Sequence, residues 1–170
     1  FADPTFAYTQ QQARIFGLEI LHMADADVLP FDYRLYGDEI HSYLNQAHNR
    51  ATAQGMHLDF SQAFSAAQKL ATAGAAVRTR QLAPGKEALS LDLALVSTER
   101  ALLLPQGLHG RPWYRHSIYA PGEFTGYAAV VIPGVNEGID AADATRAQAQ
   151  LTLLAIALNR AASALDASVR

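Results

Sequence analysis

The chain has 170 residues, half of them hydrophobic and 17% charged, with a mean hydropathy of +0.00; this excludes a disordered tail and a string of membrane helices, and leaves enough chain for one domain with a real core. Thirteen Lys and Arg against sixteen Asp and Glu give a net charge of −3, so no general attraction to nucleic acid or anionic lipid is expected. Cysteine is absent, which removes disulfides, thiolate metal sites and thiol nucleophiles together.

Thirty-three alanines and long stretches free of Gly and Pro favour helix over strand. The opening Phe1-Ala2-Asp3-Pro4 carries no secretory leader and does not resemble a natural start, so the chain reads as a piece of something longer. A first helix is predicted after Asp3-Pro4 and runs to about Ala26, with Phe16, Ile20 and Met23 on one face. Gly17 inside it costs about 1 kcal/mol against alanine and suggests a close helix crossing.

Leu29-Pro30 breaks the chain, and Asp32 is placed to cap a second helix over about residues 33–54, with Gly55 as its stop. Its apolar stripe is Tyr36, Ile40, Tyr43, Leu44 and Ala47. Asp59 and Gln62 have capping-box spacing at the head of a third helix, about 60–82. Its stripe, Phe60, Phe64, Ala67, Ala71 and Gly74, is small at the centre and invites a close neighbour. Ala83-Pro84-Gly85 reads as a turn. The fourth helix, about 86–104, has one stripe of Leu89, Leu93, Val96 and Leu103 and a second of Leu91, Leu95 and Leu102. Two apolar faces call for a central position or a covering partner.

Residues 105–139 change character, with four prolines, six glycines and five Trp, Tyr or Phe residues from Trp113 to Tyr127. So long an irregular segment in one domain is usually functional, and its aromatic content argues for an ordered arm. Asp143 or Asp140 is expected to cap the last helix, about 142–166, with Ala147, Leu151, Leu154, Leu158 and Leu165 in its stripe. The predicted fold is all-α: an up-down-up-down four-helix bundle with an extra helix or a long aromatic, Pro-rich arm.

The residues hold no complete active site. Of six histidines, His41 and His48 lie seven apart on one helix, the wrong rise for a shared ion, and neither H-E-x-x-H nor a Glu-x-x-His pair occurs. There is no G-x-S-x-G elbow, and Gly107, Gly110 and Gly122 make no phosphate loop. No catalytic residue and no metal ligand is therefore assigned. Arg111, Arg115 and His116, beside Trp113 and Tyr114, form a basic aromatic cluster. It suits either an anion or carboxylates at an interface.

Two blocks carry more specific information. Asp3-Pro4-Thr5-Phe6-Ala7-Tyr8 leads to Val28-Leu29-Pro30-Phe31-Asp32-Tyr33-Arg34. Later, Arg111-Pro112-Trp113-Tyr114-Arg115-His116-Ser117-Ile118-Tyr119-Ala120-Pro121 precedes Tyr127 and Ile132-Pro133-Gly134-Val135. In order and separation these resemble the C-terminal helical domain of glutamate carboxypeptidase II (prostate-specific membrane antigen) and its relatives, the transferrin-receptor-like dimerisation domain.

The resemblance implies one helical dimerisation domain over residues 1–170, cut from a modular protein. In that family a peptidase domain holding two bridged zinc ions does the chemistry. The helical domain supports homodimerisation and lends one loop to the substrate pocket. The last zinc-binding histidine precedes the first string, so this chain is expected to carry no cofactor and to hydrolyse nothing alone. Its implied partners are the peptidase domain, a second copy and the peptide substrate, with neither nucleic acid nor membrane contacted by this domain. Relatives are often secreted or membrane-anchored, which implies an extracytoplasmic protein.

In glutamate carboxypeptidase II a Lys-Tyr pair on the borrowed loop grips the side-chain carboxylate of a C-terminal glutamate. Gly126 and Tyr127 stand at the matching positions here. Tyr127 keeps a phenolic donor, or else packs the loop. Gly126 removes the cation, and a charge-assisted bond is roughly twice as strong as a neutral one, which opens a broader peptide preference. The alternative function is a non-enzymatic interaction module of transferrin-receptor type, although that protein's Arg-Gly-Asp signal is missing. Trp113, Tyr114, Arg115 and His116 are the expected interface residues.

Overall fold

The computed structural model describes residues 3–83, 85 and 88–169. Among them the elements run α1 (Ala7–Ala24), α2 (Tyr33–Ala53), α3 (Ser61–Gln81), α4 (Ala88–Ala101), β1 (Tyr119–Pro121), β2 (Ala129–Val131), α5 (Pro133–Asp140) and α6 (Ala144–Val169). The expected turn residue Pro84 and the expected helix start at 86–87 lie outside the described residues.

Local chemistry sets the helix ends. The Asp32 carboxylate accepts the N–H of Leu35 at 3.0 Å, taking up one of the donors a helix start leaves open. Gly55 follows the helix at φ 72°, where a side chain would be strained. Of its predicted stripe, α2 buries Ile40, Leu44 and Ala47 and half-buries Tyr36 and Tyr43; Tyr33 and Ala51, outside that stripe, are buried too. α3 runs antiparallel to it in backbone contact. A Cβ on Gly74 would sit 2.3 Å from the Arg34 nitrogen, and one on Gly37 2.6 Å from the Ala71 nitrogen.

α6 lies beside α3 and runs in the same direction. Asp59 meets Gln148, Lys69 meets Asn159 and Arg80 meets the carbonyl of Ser168, all in step. Buried alanines on both, among them Ala66, Ala73, Ala155 and Ala162, let the helices approach closely. α4 covers the other flank of α6, where Arg160 donates to the carbonyls of Ala101 and Leu103 at 2.9 Å. The Tyr33 phenol ties α2 to α4 through the Leu95 carbonyl at 2.7 Å. Directions therefore alternate through α2, α3, α4 and α6, the predicted up-down-up-down order, with the parallel pair α3–α6 packed together at the centre. Each leucine fully buried here contributes roughly 1.5–3 kcal/mol.

Several local expectations are corrected. The capping box at Asp59 does not form: its carboxylate turns to the N–H of Ser61 at 2.9 Å, and its backbone pairs reciprocally with the Gln148 amide rather than with Gln62. In α4 the second stripe, Leu91, Leu95 and Leu102, is the buried one; Leu89 and Leu93 face outward. The helix also stops at Ala101, because Leu104 pairs its N–H with the Arg115 carbonyl. α6 behaves as read, with Asp143 as its cap through the Arg146 N–H at 2.9 Å and the whole predicted stripe buried.

The largest departures are at α1 and α5. α1 begins at Ala7, and the Asp3 carboxylate reaches back to the N–H groups of Thr9 and Tyr8 at 2.9 and 3.1 Å. Those bonds, Thr9's foremost, hold the Asp3 carboxyl below its usual range. None of α1's 18 residues is buried, and among the described residues no atom outside Gly17's own turn of helix lies within 4 Å of a Cβ built there, so the expected crossing is absent. Conversely, the arm is not irregular throughout. It holds the β1–β2 hairpin and, from Pro133, a helix of eight residues, α5. Proline at the first turn loses nothing there.

Candidate functional site

The hairpin is short: Tyr119, Ala120 and Pro121 pair antiparallel with Val131, Val130 and Ala129. Between the strands the chain turns through residues 122–128, closed by Gly122 N–H to the Ala128 carbonyl and by Gly126 N–H to the Gly122 carbonyl, both at 3.1 Å. Gly126 takes φ 62°, and a Cβ there would point into open space. Phe124 and Tyr127 are 95% and 97% exposed. The Tyr127 ring therefore does not pack the loop.

What fixes the loop is a charge network under its base. Arg111 is buried and donates to the Pro121 carbonyl and to Glu137 Oε1, both at 2.5 Å, with its guanidinium 5.4 Å from the Tyr114 ring centre. Glu137 Oε1 also accepts the Glu123 N–H at 3.2 Å. Arg146 closes the ring, 3.0 Å from Glu123 and 3.5 Å from Glu137. Two guanidinium groups against two carboxylates balance in charge. Such a network holds while complete and turns costly when one member is lost. On α5, Asn136 donates to the Val131 carbonyl at 2.7 Å and accepts from Arg50 at 3.1 Å. Arg50 also pairs with Asp140, so α2, α5 and β2 are pinned together.

The second anchor is aromatic. The Tyr43 and Tyr119 phenols share a hydrogen bond of 3.0 Å, and Tyr36 and His116 flank the Tyr119 ring. Burial, then the Glu99 carboxylate nearby, pushes the Tyr33 and Tyr36 phenols well above their usual range. The bond with Tyr119 is the first cause of the same rise at Tyr43. His116 Nδ1 accepts the N–H groups of Ile118 and Tyr119 at 3.2 Å, which places the ring proton on Nε2, 2.9 Å from Glu99.

The expected interface cluster is thus divided. Tyr114 lies half-buried under Arg111, and His116 orders the entry to β1. Arg115 Nε donates to the Leu104 carbonyl at 3.1 Å. Trp113 stays 69% exposed beside Tyr114. The carboxylates that pair with the cluster's Arg111 and His116 are internal, Glu137 and Glu99. Glu123, Glu137 and Arg146 were not singled out from the sequence: 23 and 26 residues separate the bonded pairs, and no local pattern links them. A glutamate in the short run between Pro133 and Asp140 was the only available signal.

Among the described residues no three His, Asp or Glu side chains converge as metal ligands. No helix of the described residues is long and apolar enough to cross a membrane. Residues 58–166 match the transferrin receptor-like dimerisation domain. The chain belongs to that family. It is similar to a probable glutamate carboxypeptidase, LAMP1, of Arabidopsis thaliana, 33% identical over 82% of this chain and 21% of the relative. A probable glutamate carboxypeptidase of Arthroderma benhamiae is 32% identical over 86% of this chain and 21% of its own. The aminopeptidase NAALADL1 of Rattus norvegicus is 27% identical over 98% of this chain and 24% of its own. This dimerisation domain thus spans about a fifth of the length of the curated relatives it matches.

Proposed function

We propose that this dimerisation domain serves a zinc-dependent exopeptidase of the glutamate carboxypeptidase kind, holding two copies together and lending the 122–128 loop to the peptide pocket. The chemistry, and the two zinc ions that would activate water, belong to another domain of the longer protein; this chain hydrolyses nothing by itself. Partner seating falls to the outward stripe of α4, where Leu89 and Leu93 stay exposed beside half-buried Val96.

The observation that carries the loop's role is Tyr127. A phenol 97% exposed at the end of a hairpin whose base is locked by buried charge has no packing task in this chain. It is free to donate to a substrate carboxylate. With Gly126 beside it the loop supplies a neutral donor and no cation, which favours a tolerant pocket over a glutamate-selective one. The names of the relatives, carboxypeptidases and an aminopeptidase, support the peptidase reading.

The test uses the full-length protein with peptides ending in glutamate, glutamine or leucine. Tyr127→Phe is expected to raise KM with little change in kcat, and Gly126→Lys to shift preference toward glutamate. The lysine would adopt a left-handed backbone at a cost of about 1–2 kcal/mol, in open space. Chelation is expected to abolish turnover. Activity indifferent to both loop substitutions would remove the pocket role, and chelator-sensitive hydrolysis by the 170-residue chain alone would overturn the whole reading.

A further inference from the structure

In the 122–128 loop, Gly122 and Gly126 carry no side chain and Ala128 only a methyl group. Glu123 gives its carboxylate to Arg146 at 3.0 Å and its N–H to Glu137 at 3.2 Å. The Thr125 hydroxyl folds back over Gly122, 2.5 Å from where a Cβ would stand. What the loop turns outward is therefore two aromatic rings, Phe124 and Tyr127, both almost wholly exposed. Its one carboxylate is engaged in the lock, and it carries no cation.

Phe124 is the odd member of that pair. Tyr127 has a polar tip that water satisfies, whereas a phenyl ring has none and gains from any apolar cover. The chain also fixes where the Phe124 ring starts. Glu123, next to it, is held by both backbone and side chain, and the Gly126 N–H closes the turn on the Gly122 carbonyl at 3.1 Å. Tyr127 follows three positions later, so the two Cα atoms stand within about 11 Å of each other.

We propose that Phe124 is a specificity-determining residue of the peptide pocket, selecting substrates whose C-terminal residue has a large apolar side chain, such as leucine or phenylalanine. This rests on reading the loop as part of that pocket, and it narrows the tolerance argued there. Tyr127 donates its phenolic O–H to the substrate carboxylate. Phe124 covers the apolar side chain beside it, and both surfaces leave water. An acidic side chain gains nothing here, because the ring face is the negative side of its quadrupole and no cation pairs with a desolvated carboxylate. A basic side chain would meet a ring face but no available carboxylate, since Arg146 holds Glu123.

Kinetics of the full-length protein on peptides ending in leucine, phenylalanine, glutamine, glutamate or lysine test this. The two apolar endings are expected to give the highest kcat/KM. Phe124→Ala is expected to lower it for those two on the order of 10-fold or more, chiefly through KM, and to affect the glutamine peptide less. Phe124→Leu keeps an apolar group and should keep the order of preference. Tyr127→Phe, by contrast, should weaken every ending alike, because each has the carboxylate. With its ring 95% exposed, Phe124→Ala should leave the melting temperature of the 170-residue chain where it was.

No effect of Phe124→Ala on any ending, where Tyr127→Phe still raises KM, would overturn the proposal and leave the loop's pocket role intact. Indifference to both substitutions would overturn the two together. An equal loss for every ending with a halved mass by light scattering would replace the proposal with a seat for Phe124 on the second copy. A preference for the lysine ending that Phe124→Ala abolishes would replace it with a cation–ring contact.

Discussion

α1 and α5 are opposites. α1 has 18 residues, a string of Leu, Ile and Phe, and nothing buried. α5 has eight residues, among them Asn136 and Glu137, and is buried from Pro133 to Ile139. Hydrophobic content alone would rank them the other way round. The difference lies in what each element is given to touch. α5 sits on α6 with Gly138 against Ala147; Asn136 bonds Arg50 and the Val131 carbonyl, and Glu137 bonds Arg111 through Oε1 and faces Arg146 at 3.5 Å through Oε2. Among the described residues α1 meets nothing that would take its leucines out of water. Burial is a property of the assembled surroundings, and charge is admitted wherever it arrives with its partner.

Four substitutions or measurements would break or sharpen that contrast. Glu137→Gln should have the largest effect, about 3–5 kcal/mol of lost stability by denaturant titration, because it leaves Arg111 and Arg146 without their shared carboxylate. An effect under 1 kcal/mol would mean that α5 is held by packing alone. Gly138→Ala comes next at about 1–3 kcal/mol, since the new Cβ would lie 2.8 Å from the Ala147 Cα and nitrogen.

Alkaline titration follows. The folded state keeps Tyr33, Tyr36 and Tyr43 protonated beyond their ordinary range. Ionisation is therefore easier in the unfolded chain. The bundle is unaffected below about pH 10 and loses stability as pH rises above it. Phenolate absorbance should show these three tyrosines titrating late and together with unfolding; simple titration at pH 10 while the helices persist would refute the burial of Tyr33 and Tyr36 and the bond between Tyr43 and Tyr119. The smallest effect is Gly17→Ala. It should raise helicity by circular dichroism by about 1 kcal/mol of propensity and leave the bundle's midpoint where it was. The same glycine-to-alanine exchange thus has opposite consequences in the two helices.

Much of the bundle was legible because its signals are local. Asp32 capping α2, Asp143 capping α6 and the stripe from Ala147 to Leu165 depend only on spacing along one helix. What failed needed a partner from far away. Asp59 chose Gln148 over Gln62, 89 residues distant against three. In α4 both stripes are leucine-rich, so only the position of α6 decides which is buried. α5 was hidden by its length, too short for a helical period, and by its Pro133-Gly134 start. At the candidate site, the family resemblance singled out Tyr127 and Gly126, whose pocket role is a proposal, whereas the Arg111–Glu137–Arg146 lock has no footprint in the order of the residues.

The contact between Gly37 and Ala71 and that between Gly74 and Arg34 have a mechanical consequence. Helices whose backbones touch at two levels cannot slide or roll past one another, so α2 and α3 act as one rigid rod. Tyr43 fastens Tyr119 to that rod, and the start of the hairpin inherits its stiffness. Any swing of the loop is then confined to the seven residues between Pro121 and Ala129, a fingertip moving on a fixed wrist.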